Sequence, residues 1–250
     1  MRILLTNDDG IAAQGLRALA DALIDAGHSV FVCAPNRERS GASHAITIGS
    51  PLSAEPVEYP GADRAWQVNG APADCASLGL WLTREDPVDL VMAGINRGMN
   101  MGGACIYSGT VAAAMEAAMC GTQGLAVSLL IKDIDALEDY TAAARLAVRV
   151  AEWAVNHPLP VGVIYNLNVP PLPYDEIRGL VPAKLAPVFL GTPAYEPVGE
   201  NLYRFKYNAP LDMPSDGDVP LAEAGYATLT KLTWDIRHNA DDGDLAEIGL

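Results

Sequence analysis

A chain of 250 residues that is 50% hydrophobic and 19% charged is long and apolar enough to bury a substantial core, which excludes intrinsic disorder. Its formal net charge of −15 repels phosphate backbones and excludes a broad nucleic-acid grip, so an anionic substrate needs a metal or backbone amides to offset that field. No apolar run reaches about 18 residues, so no membrane partner is expected. Four cysteines far apart (Cys33, Cys75, Cys105, Cys120), without zinc spacing, read as reduced packing residues of a cytoplasmic chain.

Met1-Arg2-Ile3-Leu4-Leu5 runs directly into Asp8 and Asp9, too short a stretch for a secretory signal. Residues 2–6 form an apolar run and predict a buried strand. Leu16, Leu19, Ala20 and Leu23 recur at helical spacing over 15–26, and Gly27 stops that helix. A second apolar run at 30–34, closed by Pro35, completes a right-handed βαβ unit. A polar loop at 36–43 follows, then short extended pieces around 45–48, 52–59 and 65–68. Residues 73–83 predict a helix with Asp74 in its first turn, and 89–93 another buried strand. Gly94, Gly98, Gly102, Gly103 and Gly109 make the next stretch a glycine-rich loop, before an alanine-rich helix at 110–120. A strand at 125–131, a helix at 138–156 and a strand at 162–169 complete the pattern.

After Pro170 prolines cluster, and residues 202–207 and 226–232 read as alternating strands. The expected fold class is therefore α/β, a Rossmann-like, mostly parallel sheet flanked by helices, with a β-rich C-terminal extension. Residues 1–170 form the expected α/β core that binds metal and phosphate. Residues 171–250 form an extended, hairpin-containing tail whose unpaired strand edges suit it to hold subunits together.

In open parallel sheets ligands bind beyond the carboxyl ends of the strands. Four polar groups stand at such ends: Asn7-Asp8-Asp9-Gly10, Arg39-Ser40-Gly41-Ala42-Ser43, Gly94-Ile95-Asn96 continuing to Asn100, and Tyr107-Ser108-Gly109-Thr110. Two adjacent carboxylates that reach one point repel each other unless a cation lies between them. Adding Ser40 and Asn96 gives an all-oxygen set, which favours Mg²⁺ or Mn²⁺ over zinc. Each motif also has a plain structural reading. Asp-Asp-Gly can be a turn, Ser40-Gly41-Ala42-Ser43 a polar loop, Asn96 a turn asparagine, and Ser108 an ordinary helix cap. It is the coincidence of four at one sheet edge that favours a site.

Candidate substrate contacts are Asn7, Gly41, Ser43, Ser108, Gly109 and Thr110. The last three open a helix whose N-terminus suits a phosphate. His28, His157 and His238 read as surface residues, His44 as structural although it adjoins Ser43, and Tyr107 as packing more than stacking. Arg37 and Arg39 read equally as phosphate contacts or as a solvated loop face. Cys75 and Cys105 read as packing residues.

These segments, together with Gly70-Ala71-Pro72-Ala73-Asp74-Cys75 and the run Ser108-Gly109-Thr110-Val111-Ala112-Ala113-Ala114, resemble the SurE family of survival-protein nucleotidases. The resemblance is strong over residues 1–170 and weaker through Asp218 and Gly225-Tyr226. It implies a divalent-metal-dependent phosphomonoesterase acting on nucleoside 5′- and 3′-monophosphates and, for some members, on polyphosphate. It implies one divalent metal per subunit held by Asp8, Asp9, Ser40 and Asn96. Asp8 and Asp9 are the candidate catalytic residues, with a lean to Asp9 for water activation that the sequence leaves open between the two. It also implies a homodimer or homotetramer built through the C-terminal tail.

The chain departs from the family where Gly103-Ala104-Cys105 replaces the usual acidic residue. It departs again at Thr230-Lys231-Leu232, where the family has Thr-Pro-Leu. The first change leaves a non-catalytic nucleotide-binding protein as the alternative. A receiver-type domain is disfavoured because Pro35-Asn36 stands where its second-strand acid belongs. A dinucleotide oxidoreductase is disfavoured because Asn7-Asp8-Asp9-Gly10 stands where GxGxxG belongs.

Overall fold

Alternate residues of a strand point to opposite faces of its sheet. In β1 (Arg2–Thr6) this sends Ile3 and Leu5 into one apolar layer and Leu4 into the other. A strand buried on both faces belongs in the middle of a parallel sheet. The computed structural model, which describes residues 1–131, 138–186, 194–206 and 214–235, has β1 in that place.

Its main sheet has nine strands. On one side of β1 lie β2 (Ser29–Pro35), β4 (Arg64–Val68) and the short edge strand β3 (Ala54–Pro56). On the other lie β5 (Leu90–Arg97), β6 (Gln123–Leu129), β7 (Val163–Val169), β11 (Ala227–Thr233) and β8 (Leu180–Pro182), in that order. All pairings from β4 to β7 are parallel. The expected mostly parallel α/β sheet is therefore what the chain forms.

Helices α1 (Gln14–Asp25) and α4 (Thr141–Ala154) cover the face that carries Ile3 and Leu5. Helices α2 (Pro72–Leu82) and α3 (Gly109–Met119) cover the Leu4 face. Helix α1 buries Leu16, Leu19, Ala20 and Leu23, the stripe that its 3.6-residue period dictates. Helix α3 buries five alanines, Ala112, Ala113, Ala114, Ala117 and Ala118, beside Gly109, so it lies close against the sheet. Among the described residues no helix is long and apolar enough to cross a membrane.

From β1 the chain winds outward through β2 and β4, then returns to β5 and winds the other way through β6 and β7. The crevice between the carboxyl ends of β1 and β5 is thus the topological switch point, where open α/β sheets bind ligands.

Four expectations are corrected. The glycine-rich stretch does not begin at Gly94: β5 continues through Asn96 to Arg97 with a register shift between Ala93 and Asn96, because Asn96 and Arg97 still pair with Ser128 and Leu129. Residues 45–48 form no strand, because Thr47 is tied to the start of α2. Its amide and hydroxyl donate to the buried Asp74 carboxylate at 2.8 and 2.7 Å. The His28 side chain is only 10% exposed, with Nε2 3.4 Å from Glu152 Oε1 on α4.

The tail, fourthly, is not merely an appendage. β11 lies antiparallel against β7, and β8 pairs with β11, so a boundary at residue 170 cuts through the main sheet. Among the described residues, only the hairpin of β9 (Ala194–Gly199) and β10 (Leu202–Lys206) forms a sheet of its own. A short helix, α5 (Asp218–Glu223), precedes β11. Tyr207, the last residue of the strand expected over 202–207, and His238 lie outside the described residues.

Candidate active site

The turn after β1 is built by its own sequence. Asn7 is fully buried, its amide nitrogen donates to the Gly10 carbonyl at 2.9 Å, and its Oδ1 accepts from Gly10 N at 3.2 Å. Gly10 sits at φ 98°, where a side chain is strained, and a Cβ there would lie 3.1 Å from the Arg37 carbonyl carbon. The turn therefore fixes Asp8 and Asp9 at the strand end and lets the loop after β2 lie against them. Asn7, expected at the substrate, has its amide committed to the turn.

Asp8 is 4% exposed. Its Oδ1 accepts a hydrogen bond from the Thr110 hydroxyl, and its carbonyl accepts from Arg39 N at 2.7 Å. A Cβ on Gly109 would lie 2.9 Å from Asp8 Cβ, so glycine is what lets α3 begin directly on this carboxylate. Asp9 Oδ2 accepts from Arg97 N at 3.1 Å, which joins the ends of β1 and β5.

Burial raises the Asp8 carboxyl above the ordinary carboxylate range, although hydrogen bonds from Thr110 oppose the shift. Asp9 is pushed up to about 6, first by burial and then by the Asp8 charge, with the Arg97 N–H opposing. Both shifts mark negative charge that the protein leaves uncompensated.

The remaining expected residues come to the same edge in different states. Ser40 is exposed, and its Oγ donates to Glu38 Oε1 at 2.7 Å. Gly41 is exposed at φ 71° with open space around it. Ser43 stands at φ 53°, its Oγ donating to the Ile106 carbonyl at 2.7 Å and its N to the Tyr107 carbonyl at 3.1 Å. These bonds tie the loop after β2 to the start of α3. Ser108 caps α3, accepting from Val111 N at 3.0 Å as an ordinary cap does, but its hydroxyl proton is not used in that bond. Asn96 donates its amide to the Gly98 carbonyl at 2.9 Å, which leaves its oxygen as the end for a ligand.

Arg39 reaches the Asn69 carbonyl at 2.6 Å, and this fixes the loop to the segment before α2. Tyr107, read as packing, is 53% exposed beside the site, as is Ile106 at 67%, so the ring is not part of the core. His44 pairs with Glu116 of α3 at 3.0 Å. Burial pushes the Cys105 thiol up to about 12, which makes it a packing group and not a nucleophile.

Sequence reasoning did not find the polar frame beneath the loop. Asn100 is buried; its N donates to Asn168 Oδ1 at 2.9 Å and its amide to Ser128 Oγ at 2.8 Å. Its carbonyl accepts from the side-chain amides of Asn166 and Asn168, both at 2.9 Å. Asp218, fully buried at the start of α5, accepts from Gly102 N at 3.0 Å and Ala186 N at 2.9 Å. The only sequence signal for this frame is the Asn166-x-Asn168 alternation on one face of β7. Among the described residues no three His, Cys, Asp or Glu side chains cluster around one point.

Comparison with known proteins points to one family. The family model described as "Survival protein SurE" matches residues 3–188. A "5'-nucleotidase SurE" of Gloeobacter violaceus is 40% identical over 255 residues, covering 97% of this chain and 94% of that one. A "5'/3'-nucleotidase SurE" of Serratia proteamaculans is 40% identical over 240 residues, covering 94% and 91%. The crystal structure of the SurE protein from Aquifex aeolicus superposes with a TM-score of 0.80 at 29% identity, covering 99% of both chains.

Proposed function

The chain belongs to the SurE family, and from that premise we propose that it hydrolyses nucleoside 5′- and 3′-monophosphates to nucleoside and phosphate with the aid of a divalent metal. The observation that carries this reading is the adjacent pair at the switch point, Asp8 buried and Asp9 half-buried, with both carboxyls shifted upward. The donor set fits a hard cation. Two mutually repelling carboxylates, the Ser40 hydroxyl and the Asn96 amide oxygen are all oxygen donors, which suits Mg²⁺ or Mn²⁺, one ion per subunit. Bound there, such an ion supplies charge neutralisation to the phosphoryl group and lowers the pKa of water.

The chain's own groups do the rest. Thr110 fixes the Asp8 carboxylate through its hydroxyl. The first turn of α3 offers backbone N–H groups and its dipole to the phosphate, and the Ser108 hydroxyl donates the proton its cap leaves unused. Because the Ser43 hydroxyl is held by Ile106, the loop after β2 contributes through the Gly41 backbone and Ser43 keeps that loop in place. Asp9, held at the end of β1 by its bond from Arg97 N, is the carboxylate assigned to take the proton from the attacking water.

The test is phosphate release by the purified chain with Mn²⁺ from AMP, GMP, CMP and UMP, beside a phosphodiester control. Because the exposed Tyr107 can stack on any base, the four rates should fall within about tenfold of one another, and a chelator should abolish all of them. Nucleotide binding without turnover would favour the non-catalytic alternative. Preference for the diester would overturn the reading.

We place the chain in the cytoplasm, in keeping with four unpaired cysteines, and assign it a homodimer or homotetramer built through the tail. Supporting this, the β9–β10 hairpin pairs with no further strand among the described residues, and Tyr195, Val198, Leu202 and Tyr203 on it are 61, 47, 61 and 66% exposed. Replacing Leu202 and Tyr203 together by Asp should reduce the mass measured by light scattering to that of a monomer. An unchanged mass in a folded variant would remove the hairpin from the interface.

A further inference from the structure

Glu38 takes no part in the reading above, yet it touches Ser40 and its charge is felt by both aspartates. Its carboxylate Oε1 accepts the Ser40 hydroxyl proton at 2.7 Å. Its backbone passes close to the turn after β1, where a Cβ added to Gly10 would lie 3.4 Å from Glu38 N, and it is anchored by the next amide, Arg39 N, which donates to the Asp8 carbonyl at 2.7 Å. Its charge also reaches the aspartates, because it adds to the repulsion felt by Asp8 and by Asp9.

A hydroxyl has one proton and two lone pairs. Left to itself, the exposed Ser40 could turn its proton toward the aspartates and meet a cation with the wrong end. A carboxylate that takes the proton prevents this, and a hydrogen bond to a charged acceptor is stronger than a neutral one. We propose that Glu38 is a positioning residue of the cation site, which holds the Ser40 hydroxyl so that both oxygen lone pairs are free for the ion and adds a third negative charge to the field that attracts it. The proposal rests on the assignment of Asp8, Asp9, Ser40 and Asn96 as the cation's ligands.

The test is calorimetric titration of the metal-stripped, full-length chain with Mn²⁺, with a thermal melt of each variant to confirm folding. Glu38→Ala should weaken Mn²⁺ binding by about tenfold, equivalent to about 1.4 kcal/mol. Glu38→Gln, which keeps an acceptor oxygen but loses the charge, should recover part of the loss and bind about threefold more weakly than the wild type. In a Ser40→Ala background, Glu38→Ala should cost no more than that charge contribution, because the hydroxyl it positions is gone.

A Glu38→Ala variant that binds Mn²⁺ within about twofold of the wild type overturns the proposal, as does an equal loss with and without the Ser40 hydroxyl. Asp9→Asn separates this failure from a wider one. If Asp9→Asn binds Mn²⁺ as the wild type does, or the wild type binds none, the ligand assignment falls and Glu38 with it. If Asp9→Asn abolishes binding while Glu38→Ala does not weaken it, only the role of Glu38 is lost.

Discussion

Asp8→Asn and Asp9→Asn should each lower metal-dependent phosphomonoester turnover by at least about a thousandfold, roughly 4 kcal/mol of transition-state stabilisation. The expectation follows from the site's composition. The other proposed ligands, Ser40 and Asn96, are neutral, so either substitution halves the formal charge of the ligand set itself. Asp9→Asn also removes the proton acceptor assigned to water. The fold should survive both changes. Asn at position 8 still offers an oxygen to the Thr110 hydroxyl, and Asn at position 9 still offers one to Arg97 N. Neutralising Asp8 removes a desolvated charge and the repulsion it exerts on Asp9, and neutralising Asp9 removes that group's own desolvation cost. Initial rates with Mn²⁺, paired with circular-dichroism melts, check the expectation. Wild-type turnover in both variants would sink the assignment of the aspartates to the reaction, and unfolded variants would show that their role is structural.

The parts of this architecture legible in the sequence are those fixed by local chemistry. β1, α1 and β2 lie within a residue or two of their expected bounds, because unbroken apolar runs and a 3.6-residue stripe leave few alternatives. The convergence of Asp8, the start of α3 and the loop after β2 also follows from strand ends in a parallel sheet. What was not legible depends on distant partners. Asn96 belongs to β5 because β6 offers it Ser128, which local glycine content conceals. β11 re-enters the main sheet because β7 has an open edge, while its own polar alternation resembles that of a free hairpin. Asn100 and Asp218 carry no sign of their tasks, since their partners lie 68 and 116 residues away. Glu38 is a different case. It reads as one more charge on a polar loop until its bond to Ser40 is seen.

The aspartate pair also predicts how stability depends on pH and metal. The Asp9 carboxyl rises from 3.8 to about 6 on folding, so the folded chain binds that proton more tightly than the unfolded chain does. The stability this contributes is fully present below the unfolded value and is lost as pH rises through about 6. A shift of that size corresponds to about 3 kcal/mol at most. Asp8 shifts in the same direction and adds to the effect. In chelator, therefore, the chain should be less stable to urea at about pH 7.5 than at about pH 5, by about 2 kcal/mol. Millimolar Mn²⁺ should restore that stability at the higher pH, where the carboxylates are ionised, and do little at the lower, where protons occupy the same oxygens. Asp9→Asn isolates the cause, because it should flatten the chelator profile and remove most of the Mn²⁺ gain. Equal pH dependence in wild type and variant would assign the slope to other groups. A Mn²⁺ gain of equal size at both pH values would place the ion away from these carboxylates.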